Sequence, residues 1–225
     1  MILFIFHGYE ETAKQLIRPI ESLRTHYPDS PLLLLWDAPP EEDCRVKMDL
    51  ISSSRHSIKQ IYCKQRLKPL IHGGAWTYRF LKIGLNEAQK NPEIKRIICI
   101  DPETIFLRKI AKEIPQSGIF SNLVNNNRVS LQGGALGFNL DAVTKLVESK
   151  LLFSKKFQAL KYSYRGSKNY FKNTHISCQD AIVYDVALEL NIKINNFEEF
   201  SCYPDFQADK IDRSKAIIHP VPLDA

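Results

Sequence analysis

A chain of 225 residues, 44% hydrophobic and 25% charged, has the composition of a soluble globular protein and ample capacity for a buried core. Its longest apolar runs, Met1 to Phe6 and Leu32 to Trp36, are far too short to cross a bilayer, and the first lacks the basic flank and cleavage-like site of a signal peptide. Five cysteines, odd in number and without C-x-x-C spacing, argue against a disulfide framework or zinc site and for free thiols in a reducing, cytoplasmic setting.

Residues 1–6 read as a buried strand that ends at His7-Gly8. Residues 13–25 carry Leu16, Ile17, Ile20 and Leu23 at helical spacing, with Pro19 expected to kink the helix or start it anew. A second strand, 31–36, stops at Asp37, so the chain opens as a parallel βαβ unit. Residues 44–51 suit a short helix and 58–63 an edge strand. A helix over 75–89 follows His72-Gly73-Gly74 and ends at Asn91-Pro92. The strand 96–100 stops at Asp101, and Pro102 removes the next backbone donor, so it cannot continue as a central strand. Beyond it the pattern predicts a helix over 105–113 closed by Pro115, and strands at 118–121 and 129–138, the latter broken at Gly133-Gly134. Asp141 is expected to cap a helix to Ser149, and a helix over 181–190 and short strands at 193–195 and 216–218 complete the chain. This order fits one α/β domain: a mostly parallel central sheet flanked by helices, with a smaller, irregular and more antiparallel second half.

His7, Asp37 and Asp101 each directly follow a separate apolar run. If those runs are neighbours in one parallel sheet, the three line the carboxyl rim where open α/β sheets bind ligands. Asp101 and Glu103, held side by side there, can share a divalent cation and through it a phosphate-bearing substrate. The alternative is an acidic turn capping the next helix, with Glu103 or Thr104 in its first turn. No Walker sequence and no complete Gly-x-Gly-x-x-Gly is present, which argues against P-loop and NAD(P) chemistry. Arg79, one turn into the helix after Gly73-Gly74, is a candidate phosphate contact; a solvated helix arginine is the alternative. Six histidines without H-x₃-H spacing argue against a preformed zinc site, and no motif surrounds His175 and Cys178 to suggest a cysteine nucleophile.

Ile-Asp101-Pro102-Glu103-Thr104 resembles the Asp-x-Asp signature of GT-A-fold glycosyltransferases, the nucleotide-diphosphosugar transferase superfamily. Gly73-Gly74-Ala75-Trp76-Thr77-Tyr78-Arg79 is similar to the segment many of these enzymes place before that strand. Gln132-Gly133-Gly134-Ala135-Leu136-Gly137 resembles their glycine turn beneath donor sugar and acceptor, and Gln179-Asp180 their acidic helix start. The resemblance implies a single GT-A-like domain, 1–122 being the nucleotide-binding half and 123–225 the acceptor-side half with a basic loop at 150–172. It implies that Asp101 contacts ribose or metal, that Glu103 and His219 complete a Mn²⁺ or Mg²⁺ site on the diphosphate, and that His7 and Asp37 flank base and ribose. Gly133, Gly134, Ala135 and Gln179 would sit by the sugar and acceptor. Asp180 would be the general base in an inverting enzyme or a sugar-hydroxyl ligand in a retaining one. Glu at 103, where Asp is usual, adds a methylene that bears on metal dependence.

From Lys150 to Lys172 seven basic residues and no acidic one exceed the whole chain's net charge of +6, so the remainder is near neutral. Aromatics from Phe153 to Phe171 are interleaved with them. Such a segment suits a lid, a holder for a phosphate-bearing or lipid-linked hydroxyl acceptor at the inner membrane surface, or a solvated loop. Two rival functions are a sugar-nucleotidyltransferase, which wants a glycine- and lysine-rich loop where His7-Gly8-Tyr9-Glu10-Glu11 stands, and a noncatalytic nucleic-acid binder using the basic segment.

Overall fold

A computed structural model describes residues 1–8, 15–36, 58–63, 67, 72–125, 129–131, 134–158, 179–202 and 211–219. Its centre is a seven-stranded sheet. The strands are β1 (Ile2–Gly8), β2 (Leu32–Trp36), β3 (Ile58–Tyr62), β4 (Arg96–Ile100), β6 (Ile119–Ser121), β9 (Ala135–Asn139) and β10 (Ile194–Asn196). Their spatial order is β10-β6-β9-β4-β1-β2-β3. β1 pairs in parallel with both β2 and β4, β2 with β3, and β6 with β10, while β9 runs antiparallel between β4 and β6. The sheet is therefore mixed. The sequence order reverses on either side of β1, so a switch point lies between the carboxyl ends of β1 and β4.

The strands are apolar on both faces because both faces are covered. With a side-chain period of two, Leu3, Ile5, Ile97 and Cys99 face one layer, and Phe4, Phe6, Ile98 and Ile100 the other. The first layer holds α2 (Gly73–Lys90), α3 (Leu140–Ser149) and α5 (Gln179–Glu189). Phe80 of α2 is fully buried there, a contribution of about 2–3 kcal/mol. Close approach of α2 needs Gly84, where a Cβ would lie 2.6 Å from Ile97 Cδ1 and 3.0 Å from Ile5 Cδ1. The opposite layer holds α1 (Ile17–His26) and a three-stranded sheet ordered β11-β12-β5. Its strands are β11 (Phe200–Cys202), β12 (Ile217–His219) and β5 (Ile105–Phe106). A separate hairpin joins β7 (Leu123–Asn125) to β8 (Val129–Leu131). After α3 come a 3₁₀ turn, Leu151–Phe153, and the short helix α4, Lys155–Gln158.

The described helix begins at Ile17, just before Pro19. Pro19 falls in the first turn of α1, where its missing N–H belongs to the set that has no intrahelical partner anyway. Two expectations are corrected. The stretch expected as a helix over 105–113 begins instead as β5, because Ile105 and Phe106 pair with Ile218 and Ile217 of β12. And Asn139, not Asp141, occupies the cap position of α3; Asp141 Oδ2 instead accepts the backbone N–H of Gly118 at 3.4 Å. The expected helix at 44–51 lies outside the described residues. Among the described residues no helix is long and apolar enough to cross a membrane.

Candidate functional site

The register that pairs Phe6 with Ile100 brings the next residues, His7 and Asp101, to one level at the carboxyl rim of β1 and β4. Both continue the pleat facing α2, α3 and α5, so both meet that layer. His7 is buried, 1% exposed. Its ring packs edge-on against Trp76 and tilted against Phe80. The Trp76 indole N–H donates to His7 Nδ1 at 3.1 Å. An indole can only donate, so Nδ1 is the acceptor in this contact. Arg79 Nη2 lies 3.3 Å from Nε2 of the same ring.

Asp101 leaves the sheet through a tight turn. Its backbone N–H donates to Gly134 O at 3.1 Å, and its carbonyl accepts the N–H of Thr104 at 3.2 Å. Its side chain meets the start of α5, where the amide of the buried Gln179 donates to the carboxylate. Burial pushes the Asp101 carboxyl well above the usual range; Asp180 and Glu103, both negative, push it further, and the Gln179 bond opposes them. Glu103, at the surface of the turn, is also pushed up by partial burial. Gln179 Oε1 is buried without a partner among the described residues. Asp101, Glu103 and Asp180 thus lie within electrostatic reach of one another at the end of β4.

The small sheet delivers the remaining member. β12 returns beside β5, fastened by the bond from Leu107 N to Ala216 O at 2.8 Å, and ends at His219. Thr104 Oγ1, buried, donates to Gly134 O at 2.8 Å and lies 3.2 Å from His219 Nδ1. The ring rests directly on Gly134, where a Cβ would come within 2.2 Å of His219 Cγ. Burial holds the His219 pKa down at about 4, so the ring is neutral at physiological pH. Behind it the buried Glu199 bonds Arg108 at 2.8 Å, and its backbone carbonyl accepts the N–H groups of Ala216 and Ile217. Burial alone would raise the Glu199 carboxyl, but Arg108 and the backbone N–H groups of Ala111 and Lys112 outweigh it and hold it low.

Of the residues the sequence singled out, the fold brings Asp101, Glu103, Gln179 and Asp180 into one electrostatic cluster. Gly134 and His219 share the partner Thr104, on the same turn. His7 and Arg79 touch each other at the neighbouring strand end. Ala135 is buried in β9, its carbonyl accepting Ser121 Oγ at 2.8 Å, and offers backbone rather than side chain. Asp37 and Gly133 lie outside the described residues. Sequence reasoning missed Trp76 as the partner of His7, although the helical spacing of Trp76 and Phe80 put both on the apolar face. It also missed the joining role of Thr104, whose partners are remote in the chain.

Among the described residues no three His, Cys, Asp or Glu side chains converge closely enough to hold a metal ion by themselves. Carboxylate oxygens such as those of Asp101 and Glu103 are the donor type that a hard cation such as Mg²⁺ takes, usually with water or substrate oxygens completing its shell. Of the basic segment, Phe157 is core and Phe153 stacks on Tyr78 with centroids 4.6 Å apart, while 159–178 lie outside the described residues. No protein-family model matches the chain, and comparison with curated proteins finds no significant match.

Proposed function

We propose that this protein is a glycosyltransferase of the GT-A type, moving a sugar from a nucleotide-diphosphosugar to a hydroxyl acceptor. The observation that carries the reading is the Asp101 cluster: a carboxylate at the end of a central strand, beside the switch point, within electrostatic reach of Asp180 and Glu103. The order β3-β2-β1-β4 supports it, being that of the mononucleotide-binding half of a doubly wound sheet.

In this reading Asp101 and Glu103 would hold Mn²⁺ or Mg²⁺, with His219 offering a neutral nitrogen from the adjoining strand. Bound there, the cation would offset the charge growing on the nucleoside diphosphate as the sugar leaves. Arg79 would offer a guanidinium N–H to the diphosphate oxygens. His7, being buried, acts on the donor by orienting Trp76 and Arg79 rather than by stacking on the base. Gln179 holds the Asp101 carboxylate through its amide. Asp180, at the start of α5, takes the acceptor proton if the configuration inverts, or binds a sugar hydroxyl if it is retained. Gly134 makes room for the His219 ring, which any side chain there would displace. The acceptor-side half and its basic segment would meet a phosphate-bearing or lipid-linked acceptor at the cytoplasmic membrane surface.

A thermal-shift panel of nucleoside diphosphates and nucleotide sugars, with and without Mn²⁺, tests this. A ligand at a hundred times its dissociation constant stabilises by about 2.7 kcal/mol. A shift with one nucleotide series is expected; no shift with any member would remove the support for donor binding.

A further inference from the structure

After α3 the chain turns through Leu151–Phe153, and the side chains of this stretch divide inward and outward. Leu152 is fully buried and Phe157 is core, while Phe153 between them stays 42% exposed. The Phe153 N–H donates to Lys150 O at 3.0 Å and the Ser154 N–H to Leu151 O at 2.8 Å, so the turn is closed on itself. The Phe153 ring lies against Tyr78 of α2, centroids 4.6 Å apart. One helical turn further on, Lys82 Nζ stands 5.7 Å from the Tyr78 centroid. Lys150 and Lys155 flank Phe153 in the chain. They and Lys82 are exposed and have no carboxylate partner among the described residues. Lys156 differs, since it bonds Glu189 at 2.7 Å.

We propose that this patch, Phe153 and Tyr78 with Lys82, Lys150 and Lys155 around them, docks the protein on an anionic lipid bilayer. Firm surface binding takes two signals together: an apolar group for the boundary between headgroups and acyl chains, and basic residues for the anionic lipid. Phe153 supplies the first, and the amphipathic ring of Tyr78 suits the headgroup level beside it. The lysines supply the second. In the sequence the same charge continues, with seven basic residues and no acidic one from Lys150 to Lys172. A nucleic acid would meet that charge too, but it wants open ring faces for its bases, and Tyr78 is already engaged by Phe153 and Lys82. The patch is also tied to the rim. Gly74, in the first turn of α2, packs so closely on the Leu152 carbonyl that a Cβ there would overlap it. The turn is therefore seated on the helix end that carries Trp76 and Arg79 to His7. Docking through Phe153 thus holds that end of the carboxyl rim near the bilayer. The proposal adds to the transferase reading the surface at which a lipid-linked acceptor is met, and it stands without that reading.

Flotation of the full chain with lipid vesicles tests it without any substrate. Binding is expected to an equimolar mixture of phosphatidylglycerol and phosphatidylcholine, not to phosphatidylcholine alone, and should fall as salt rises. Phe153→Ser should weaken it about 10-fold, and Lys82→Gln or Lys155→Gln about 5-fold each. All three side chains are exposed, so the variants should melt with the wild type. Trp36 and Trp76 are buried, so the indole introduced by Phe153→Trp is the one that quencher-labelled lipid in the mixture should reach. No binding to the mixture, wild-type affinity in Phe153→Ser, or an introduced indole that the lipid does not quench would each overturn the proposal. Binding to an oligonucleotide in place of the vesicles would overturn it in favour of a nucleic-acid partner. Vesicle binding by a chain that no nucleotide or nucleotide sugar stabilises would count against the transferase reading and leave the docking surface standing.

Discussion

The carboxyl of Asp101 at the end of β4 lies within electrostatic reach of Asp180 at the start of α5, whose negative charge makes ionisation of Asp101 harder. Such a pair is unfavourable in a folded protein unless something positive is brought to it. The repulsion therefore fixes both the stability and the chemistry of the rim.

Asp101→Asn should separate those two properties. The folded-state pKa of Asp101 is raised, so between the ordinary carboxylate value and the raised one the native state binds more protons than the unfolded state. Stability contributed by this group is complete at acid pH and is lost as pH rises through that window. The asparagine variant, which keeps an acceptor for Gln179, should melt at a higher temperature than wild type at pH 7 and show less decline between acid and neutral pH. Sugar transfer should fall about 100-fold or more. A lower melting temperature at every pH would contradict this electrostatic account.

His219 tilts the balance the other way. Its folded pKa sits at about 4 against an ordinary 6.5, so between these values the unfolded state binds the extra proton. Stability is full above that window and is lost as pH falls through it. Replacing His219 by Gln should flatten the acid limb of a plot of urea midpoint against pH. An acid limb of unchanged slope would mean that other groups produce it.

Gly134→Ala puts a methyl group into the His219 ring. Overpacking of this kind costs about 1–3 kcal/mol. The expected readout is a lower urea midpoint with an unchanged slope, together with a changed chemical environment at His219. Wild-type stability would show that the turn shifts more freely than its bonds to Asp101 N and Thr104 Oγ1 allow.

Glu199→Ala removes the buried carboxylate that Arg108 and two backbone N–H groups engage. Breaking a buried pair costs about 3–5 kcal/mol, and the partly exposed Arg108 can rehydrate, so about 3 kcal/mol is expected in equilibrium unfolding. Because the Glu199 pKa is lowered, this stabilisation is present above the ordinary carboxylate value and disappears as pH falls through the lowered one. The difference between variant and wild type should therefore shrink in acid.

The central strands were legible because their signal is local. Residues in 2–6, 32–36 and 97–100 are apolar on both faces, and the polar residues His7 and Asp101 that stop two of these runs mark the rim. Alternation along β1 and β4 even fixes the layer those two residues face. The region after Asp101 was not legible. Ile105 and Phe106 carry apolar side chains that suit a helix, and only pairing with Ile217 and Ile218, near the other end of the chain, makes them a strand. Thr104 was lost for the same reason: its neighbours in sequence suggest a helix cap, while its actual partners come from β12 and the turn before β9. The antiparallel insertion of β9 between β4 and β6 has no sequence marker either, since a buried strand reads alike in both directions.

Release of nucleoside diphosphate from a panel of nucleotide sugars, with Mn²⁺ or Mg²⁺ present, measures the central claim most directly. The account predicts that the wild-type chain liberates the diphosphate from one donor class, and that Asp101→Asn and Asp180→Asn, folded by circular dichroism, do not. Release that persists undiminished in both variants, or none from any donor that stabilises the protein, would contradict it.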